Sequence, residues 1–286
     1  MTASIVISSH ERLPLLRRTL WAIANRPPSC PFEVILVDDN SQADILGELR
    51  KYRVSFPWKF IQFDAAEFTA RTGLTKFWNN SCPTNNIGWK YAEGDTIFLQ
   101  GNEVLPVDDC YDRMLSHLNK VGELDLVFST TFDMGPHVLE KLDEYGRNLS
   151  KAHVEACFDR PLHSEFYRSD VTNYISVSRK GLWDKIGGYD ERYFAGISRD
   201  DSDFVRRARA AGCKTHICDQ AVSLHQFHRG KTMYYNPPPS SITQERFEQG
   251  CAINRLVYES WDDSHTNPTP WPVGTYGIKS IITSQD

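Results

Sequence analysis

Short apolar runs that end in polar residues recur along the first third of the chain and predict buried strands. Residues 32 to 41 read FEVILVDDNS, an apolar, β-branched run followed at once by two carboxylates and two small polar residues. Residues 4 to 10 and 96 to 103 repeat this pattern. A continuous apolar run of this length is typical of a strand covered on both faces in a parallel sheet. We therefore predict three such strands, joined by helices.

The polar residues after these runs are candidates for a binding site. In open α/β sheets, ligands bind in the crevice beyond the carboxyl ends of the strands. An acid at this edge accepts a hydrogen bond from a base or a ribose, or binds a metal. A solvated turn with a helix cap is the alternative, since Asp and Asn also favour caps. The residues concerned are Ser8, Ser9, Asp38, Asp39, Gln100, Asn102 and Glu103.

The rest of the chain divides into a second half-domain and an extension. We predict helices at 108–121, 180–186, 201–211 and 243–260, and strands at 124–130, 174–178 and 216–223. The weak periodicity of apolar residues from 133 to 169 indicates a long connecting segment that passes over the sheet, and such loops often contact substrate. The predicted domain is residues 1–235, with a nucleotide-binding half at about 1–105 and an acceptor half at about 106–235. A helical, proline-rich C-terminal extension follows at 236–286.

Composition narrows the class of protein. The chain has 286 residues and is 40% hydrophobic, which suffices for one large α/β domain. A net charge of −5 argues against a nucleic-acid-binding protein. No apolar run is long enough for a membrane span and the N-terminus shows no signal segment, so we expect no transmembrane segment and a cytoplasmic location. The seven cysteines form no C-x-x-C pair, which predicts reduced thiols. Nothing in the sequence indicates the oligomeric state.

Several short motifs occur in a fixed order between residues 3 and 230. They are Ser4-Ile5-Val6-Ile7, Val37-Asp38-Asp39-Asn40-Ser41, Asn86, Ala92-Glu93-Gly94-Asp95, Ile186-Gly187-Gly188-Tyr189-Asp190-Glu191, Asp200-Asp201-Ser202-Asp203-Phe204 and Ala211-Gly212. This ordered set resembles the inverting family 2 glycosyltransferases. The resemblance implies the GT-A fold, an α/β architecture with a Rossmann-like, mostly parallel central sheet flanked by helices. It also implies a nucleotide-sugar donor, a divalent cation (Mn²⁺ or Mg²⁺) and inversion at the anomeric carbon.

For the donor, the resemblance implies that Ser8, Ser9 and Asp39 border the nucleoside, with a preference for a uracil-like base. It implies that Asp38 is the companion acid at the same strand end; a turn or cap role is the alternative for Asp38. Asn86 is implied to orient the phosphates; the alternative is an amide on a helix surface.

The chain departs from the family at Gln100 and Asn102, where the family has two aspartates and the second binds the metal. An amide oxygen supplies no negative charge, so we expect a weakened metal site. Glu103 is a substitute ligand, and the alternative is that it faces solvent and the site is lost. His225 and His228, followed by Arg229 and Lys231, are expected to complete the metal site or to neutralise the diphosphate.

For the acceptor, the resemblance assigns the second acid of the Asp200–Asp203 motif, Asp201, as general base. Asp200 and Asp203 are expected to orient the acceptor or the base, although acids at a helix start also complement the helix dipole. Gly188 and Trp183 are expected to border the acceptor and donor sites. For Trp183, packing in the core is the alternative.

The function expected from these residues is transfer of a hexosyl or related glycosyl group, with inversion. The donor is a nucleoside-diphosphate sugar, with a UDP-sugar favoured. The acceptor is a hydroxyl group of a glycan, a lipid-linked molecule or a small molecule. One alternative, suggested by Gln100 and Asn102, is a catalytically silent relative that binds a nucleotide or a glycan. Another is a sugar nucleotidyltransferase, against which the chain lacks a Gly-rich, basic phosphate loop after the first strand.

Overall fold

The computed structural model describes residues 1–78, 80–133, 150, 152, 174–227, 243–260 and 277–286. In this described part of the chain, nine strands form one sheet in the order β5-β8-β6-β7-β4-β1-β2-β3-β9. The strands are β1 (Ala3–Ser9), β2 (Phe32–Asp38), β3 (Trp58–Phe63), β4 (Thr96–Gly101), β5 (Val104–Pro106), β6 (Leu126–Asp133), β7 (Ile175–Arg179), β8 (Thr215–His225) and β9 (Ile278–Thr283).

Helices cover both faces of the sheet. They are α1 (Leu13–Asn25), α2 (Ile45–Arg50), α3 (Ala65–Thr72), α4 (Cys82–Tyr91), α5 (Cys110–Leu118), α6 (Lys180–Ile186), α7 (Asp200–Ala210) and α8 (Gln244–Glu259), with a 3₁₀ helix at Glu191–Ala195. None of the helices among the described residues combines the length and apolar character that a membrane span requires.

The pairing of the strands confirms the mostly parallel sheet. β1 pairs in parallel with β2 and β4, β2 with β3, and β6 with β8. β7 runs antiparallel to both β4 and β6, so β6 and β8 point the same way as β1 to β4. β5 and β9 are antiparallel to their neighbours. The carboxyl ends of six strands therefore lie at the same edge of the sheet.

The continuous apolar runs are explained by two hydrophobic cores, one on each face. On β1, Ile5 and Ile7 pack into one core with α1 and α5, while Val6 packs into the other with α4, α6 and α7. Successive side chains of a strand point to opposite faces, so a strand covered on both sides is apolar at every position. Gly88 lets α4 approach closely, because a Cβ there would lie 2.3 Å from Val6 Cγ1.

The segment predicted as an extension, residues 236–286, contributes two described elements. α8 packs against the 3₁₀ helix: Asn254 Nδ2 donates to the carbonyls of Tyr193 at 3.2 Å and Ser198 at 2.7 Å. β9 pairs with β3 and forms one edge of the central sheet. The end of the chain is therefore part of the same sheet as its beginning.

Candidate active site

Two strands and a helix place Ser8, Ser9 and Asn102 together at the carboxyl ends of the strands. The parallel register sets Ser9 opposite Asp38 and Ser8 opposite Gly101. Ser8 Oγ lies 2.5 Å from Thr84 Oγ1 on α4. Asn102 Nδ2 donates to Ser9 Oγ at 3.4 Å. We call the residues Ser8, Ser9, Asp38, Asp39 and Asn102 the carboxyl edge.

The two adjacent acids of the carboxyl edge have different surroundings. Asp38 is engaged on both oxygens: Ser41 N donates to Oδ2 at 3.0 Å and Ser41 Oγ to Oδ1 at 2.5 Å. Burial raises the pKa of Asp38 above its ordinary value, and the two Ser41 hydrogen bonds oppose this rise. Asp38 therefore shapes the turn after β2.

Asp39 is buried and keeps one oxygen without a partner. Its Oδ2 pairs with Lys76 Nζ, whereas Oδ1 has no hydrogen-bond partner among the described residues. Its side chain is 4% exposed. A buried acceptor without a partner costs about 1–3 kcal/mol, so such an atom at a site indicates an absent donor. Its main chain is fixed by Asp39 N donating to the Ser9 carbonyl at 2.8 Å and by His10 Nδ1 donating to the Asp39 carbonyl at 2.6 Å.

Lys76 is a site residue that the sequence did not reveal. It lies in the segment between α3 and α4, where no apolar periodicity marks a position, and its side chain is 25% exposed. Its partnership with Asp39 brings together residues that are 37 positions apart. Only the tertiary structure shows this contact.

Gln100 lies beside the carboxyl edge but its amide is engaged within the fold. Gln100 Nε2 donates to the Val104 carbonyl at 2.8 Å, and Tyr111 OH donates to Gln100 Oε1 at 2.5 Å. The residue is 2% exposed. Its side chain thus connects β4 to β5 and α5.

The described residues do not fit a divalent cation. Such ions prefer several charged oxygen ligands, and Asn102 offers an amide that already contacts Ser9. Glu103 Oε1 is 3.2 Å from Arg12 Nη1 and 3.6 Å from His225 Nε2, so the Arg12 guanidinium already neutralises this carboxylate. Within the described ranges, no cluster of three or more His, Cys, Asp or Glu residues could hold a metal ion. His228, Arg229 and Lys231 lie outside the described residues.

Asn86 connects α4 to the segment between α6 and α7. It is fully buried on α4. Its Nδ2 donates to the Tyr189 carbonyl at 2.9 Å and to Glu191 Oε1 at 3.1 Å, and its Oδ1 accepts from Tyr189 N at 2.7 Å. Gly188 has a φ of 75°, and a Cβ there would lie 2.4 Å from Asn86 Oδ1. A side chain at residue 188 would therefore break this connection.

The three acids at the start of α7, which we call the acidic cluster, are Asp200, Asp201 and Asp203. Asp203 is buried and forms ion pairs with Arg206 (2.9 Å) and Arg207 (2.7 Å). Arg207 Nη1 also donates to the Ile186 carbonyl at 3.0 Å, so the Asp203–Arg207 ion pair connects α7 to the end of α6.

The other two acids of the acidic cluster lie closer to solvent. Asp201 is half-buried, and Tyr189 OH donates to its Oδ1 at 3.1 Å. Asp200 is contacted by the Cys82 thiol, which lies 3.8 Å from Oδ2. Burial, with the nearby charge of Asp201, raises the pKa of Asp200 to about 7. Asp200 therefore takes up a proton more readily than an ordinary aspartate, whereas Asp201 has a hydrogen-bond donor in Tyr189.

The aromatic residues before the acidic cluster are core residues. Trp183 is 2% exposed, and its indole N–H donates to Ser178 Oγ at 3.1 Å. The centroid of its ring lies 4.9 Å from the ring centroid of Phe204 and 5.8 Å from that of Trp89. A ring that stacks on a sugar needs an open face, and these neighbours cover Trp183.

Comparisons with known proteins agree with this architecture. A profile described as glycosyl transferase family 2 matches residues 4–67. Chondroitin synthase of Pasteurella multocida is 22% identical over 253 residues, and the match covers 80% of this chain and 25% of that protein. Hyaluronan synthase of Pasteurella multocida shows the same identity and coverage. The chain therefore spans about a quarter of the length of these relatives.

Solved structures share the fold. S. aureus TarS 1–349 in complex with UDP-GlcNAc superposes with a TM-score of 0.58 at 16% identity, over 93% of this chain and 69% of that one. GalNAc-T7 with UDP, GalNAc and Mn²⁺ gives a TM-score of 0.57 at 13% identity, over 88% of this chain and 48% of that one. At such identities the likeness concerns the fold alone. The profile match, the relatives and the common architecture together support a glycosyltransferase of family 2, and the chain has the GT-A fold of its structural neighbours.

Proposed function

We propose that the protein transfers a sugar from a UDP-sugar to a hydroxyl acceptor with inversion, and that Asp201 is the general base. The observation that carries the donor assignment is the unpaired, buried Oδ1 of Asp39 beside the Lys76 ammonium. Uracil presents an N–H donor next to a carbonyl acceptor, which complements a carboxylate oxygen next to an ammonium. Cytosine carries no hydrogen on the corresponding ring nitrogen, so it cannot donate to Asp39 in the same way. The UDP-containing complexes of TarS and GalNAc-T7 support the same choice.

The chemical step is a direct displacement. The acceptor oxygen forms a bond to the anomeric carbon while the bond from that carbon to the diphosphate oxygen breaks, and UDP leaves with the bonding electrons. The acceptor proton passes to Asp201, which has to lie on the face opposite the leaving group. A half-buried carboxylate at the start of a helix suits this role, because an acceptor can reach it from solvent.

The leaving diphosphate needs positive charge to stabilise it. Since Asn102 and Glu103 do not fit a divalent cation, we assign this task to side chains. Among the described residues, Arg12 is 40% exposed beside Glu103. Glu103 follows Asn102 of the carboxyl edge, where the donor is proposed to bind.

Nucleotide calorimetry tests the donor assignment. We expect UDP to bind more tightly than CDP, GDP or ADP, and Asp39→Ala to weaken UDP binding about 10- to 100-fold, as for a lost hydrogen bond to a charged group. Asp95→Ala is the matched control, since Asp95 is an exposed acid at the amino end of β4. Equal affinity of wild type and Asp39→Ala for UDP would refute the assignment.

A second candidate, a silent relative that binds a nucleotide-sugar without transfer, is favoured by the engaged amides of Gln100 and Asn102. Turnover separates the two functions. Release of UDP from a panel of UDP-sugars with glycan acceptors supports the transferase, whereas tight binding of UDP-sugar without release of UDP supports the silent relative.

A further inference from the structure

Tyr189 contacts the proposed base directly, and packing fixes where its hydroxyl lies. The hydroxyl donates to Asp201 Oδ1 at 3.1 Å. The residue is fully buried, and its ring stacks on Phe204 with centroids 4.6 Å apart and an interplanar angle of 21°. A ring held in this way has no freedom to move its hydroxyl away from Asp201.

The main chain of Tyr189 is fixed from the other half of the domain. Both its N–H and its carbonyl are hydrogen-bonded to the side chain of Asn86, at 2.7 Å and 2.9 Å. Asn86 belongs to α4, the helix that also contacts Ser8 through Thr84. Asn86 and Tyr189 thus form a rigid connection from the helix beside the carboxyl edge to the acidic cluster.

The charged surroundings make a neutral donor useful at this position. The titratable and charged groups around the start of α7 are Asp200 and Asp203 on α7, Cys82 on α4, Tyr189 and Asp190 in the preceding segment, and Arg199 at the helix start. Asp203 and Asp190 are neutralised by their own arginines. Burial and, after it, the charge of Asp201 raise the pKa of Asp200, and the repulsion between the two carboxylates is mutual. A hydrogen bond to the charged form offsets such repulsion.

We propose that Tyr189 is a positioning residue for the general base: its hydroxyl orients the Asp201 carboxylate toward the acceptor and favours the ionised form of that carboxylate. This inference rests on the proposed function, because it takes Asp201 as the base. Tyr189 acts through Asp201 and has no chemical role of its own.

The variant Tyr189→Phe removes only the hydroxyl. We expect kcat to fall about tenfold, the acid limb of the kcat pH profile to move to higher pH, and the donor KM to stay unchanged. In the Asp201→Asn background, Tyr189→Phe should have no further effect on kcat. The matched control is Tyr193→Phe, since the buried Tyr193 hydroxyl has no hydrogen-bond partner in the described structure. It should leave the pH profile in place.

Carbon-13 NMR of the aspartate carboxyl groups gives a readout that needs no transfer activity. The Asp201 signal is identified by its loss in Asp201→Asn, and its titration midpoint should rise in Tyr189→Phe. An unchanged midpoint would overturn the inference whatever the kinetics show. A raised midpoint together with unchanged kcat and pH profile would show that the contact exists but that Asp201 is not the base, so the proposed mechanism itself would fail.

Discussion

The carboxyl edge and the acidic cluster both contain adjacent acids, yet the fold uses them differently. At the carboxyl edge, Asp38 is held by Ser41 and Asp39 keeps one buried oxygen free beside Lys76. In the acidic cluster, Asp203 is held by two arginines, while Asp201 is half-buried beside Asp200 and receives a hydrogen bond from Tyr189. Each region thus has one acid that supports the fold and another that is available to a ligand.

The difference between the two available acids lies in their neighbours. A cation stabilises the charged form of a carboxylate, whereas a nearby acid favours the uptake of a proton. An acid paired with Lys76 is therefore suited to accepting a hydrogen bond from a bound base. An acid beside Asp200 is suited to accepting a proton during the reaction. This comparison predicts binding defects from changes at the carboxyl edge, and rate defects from changes at Asp201.

The largest expected effect is a loss of folding stability when Asp203, the acid of the acidic cluster that supports the fold, is replaced. Asp203→Asn leaves Arg207 buried without a charged partner, because Arg207 is 3% exposed. Removing one partner of a buried ion pair costs about 3–5 kcal/mol. Urea denaturation should show this loss. A change below 1 kcal/mol would mean that Asp203 does not tie α7 to the core.

The next largest effect is on the rate of sugar transfer, and it is expected at Asp201 of the acidic cluster. Asp201→Asn should lower transfer by about two orders of magnitude or more, as expected for the loss of a positioned base. UDP affinity and the urea midpoint should match wild type. Asp203→Asn serves as the control, because it should lower the urea midpoint, whereas Asp201→Asn should lower the rate of transfer without changing that midpoint. Near wild-type turnover in Asp201→Asn would remove Asp201 from the mechanism.

The sequence predicted the central strands because they are covered on both faces. β1, β2 and β4 each contain an uninterrupted apolar run, at 5–7, 34–37 and 97–99, and this pattern does not depend on distant parts of the chain. β3 and β9 were not predicted, since Lys59, Gln62, Lys279 and Ser280 interrupt their apolar residues. The pairing of β3 with β9 joins segments more than 200 residues apart, which no local pattern can indicate.

The site was predictable in its location but not in the task of each residue. Strand ends identified Asp38, Asp39 and Asn102, but Ser41 and Lys76 decide which acid has a free oxygen. The alternation of side chains along β4 indicates that Gln100 lies in the core, although its position in the family motif suggested a site residue. Side chains two apart on a strand share a face, so Gln100 points to the same side as Phe98, into the core with Tyr111.

A smaller effect is expected on the pH dependence of stability, through Glu191. Burial raises the pKa of Glu191 to about 7 from an ordinary 4.5. The folded state therefore binds this proton more tightly than the unfolded chain. The resulting stability is complete below about pH 4.5 and is lost as pH rises through about 7.

Glu191→Gln cannot ionise and keeps an oxygen that can accept from Asn86. We expect it to exceed wild type in stability at pH 8 by roughly 1–3 kcal/mol and to match it near pH 5. Urea denaturation at both pH values measures this difference, with the exposed Glu123→Gln as control. A gain that is equal at both pH values would show that ionisation of Glu191 is not its cause.

The smallest expected effect concerns metal affinity at the carboxyl edge. Wild type should bind Mn²⁺ weakly, because Asn102 carries no charge and a cation would have to displace Arg12 from Glu103. Asn102→Asp adds one charged oxygen at the end of β4 and should tighten Mn²⁺ binding about tenfold, since oxygen sites tune affinity through ligand charge. Asn25→Asp adds the same charge on the exposed end of α1 and should change nothing. Tight binding by wild type that Glu103→Ala abolishes would instead show that Glu103 leaves Arg12 to ligate the ion. Tight binding insensitive to both Asn102 and Glu103 would contradict this account, because no other described acid at the end of β4 could supply the charge.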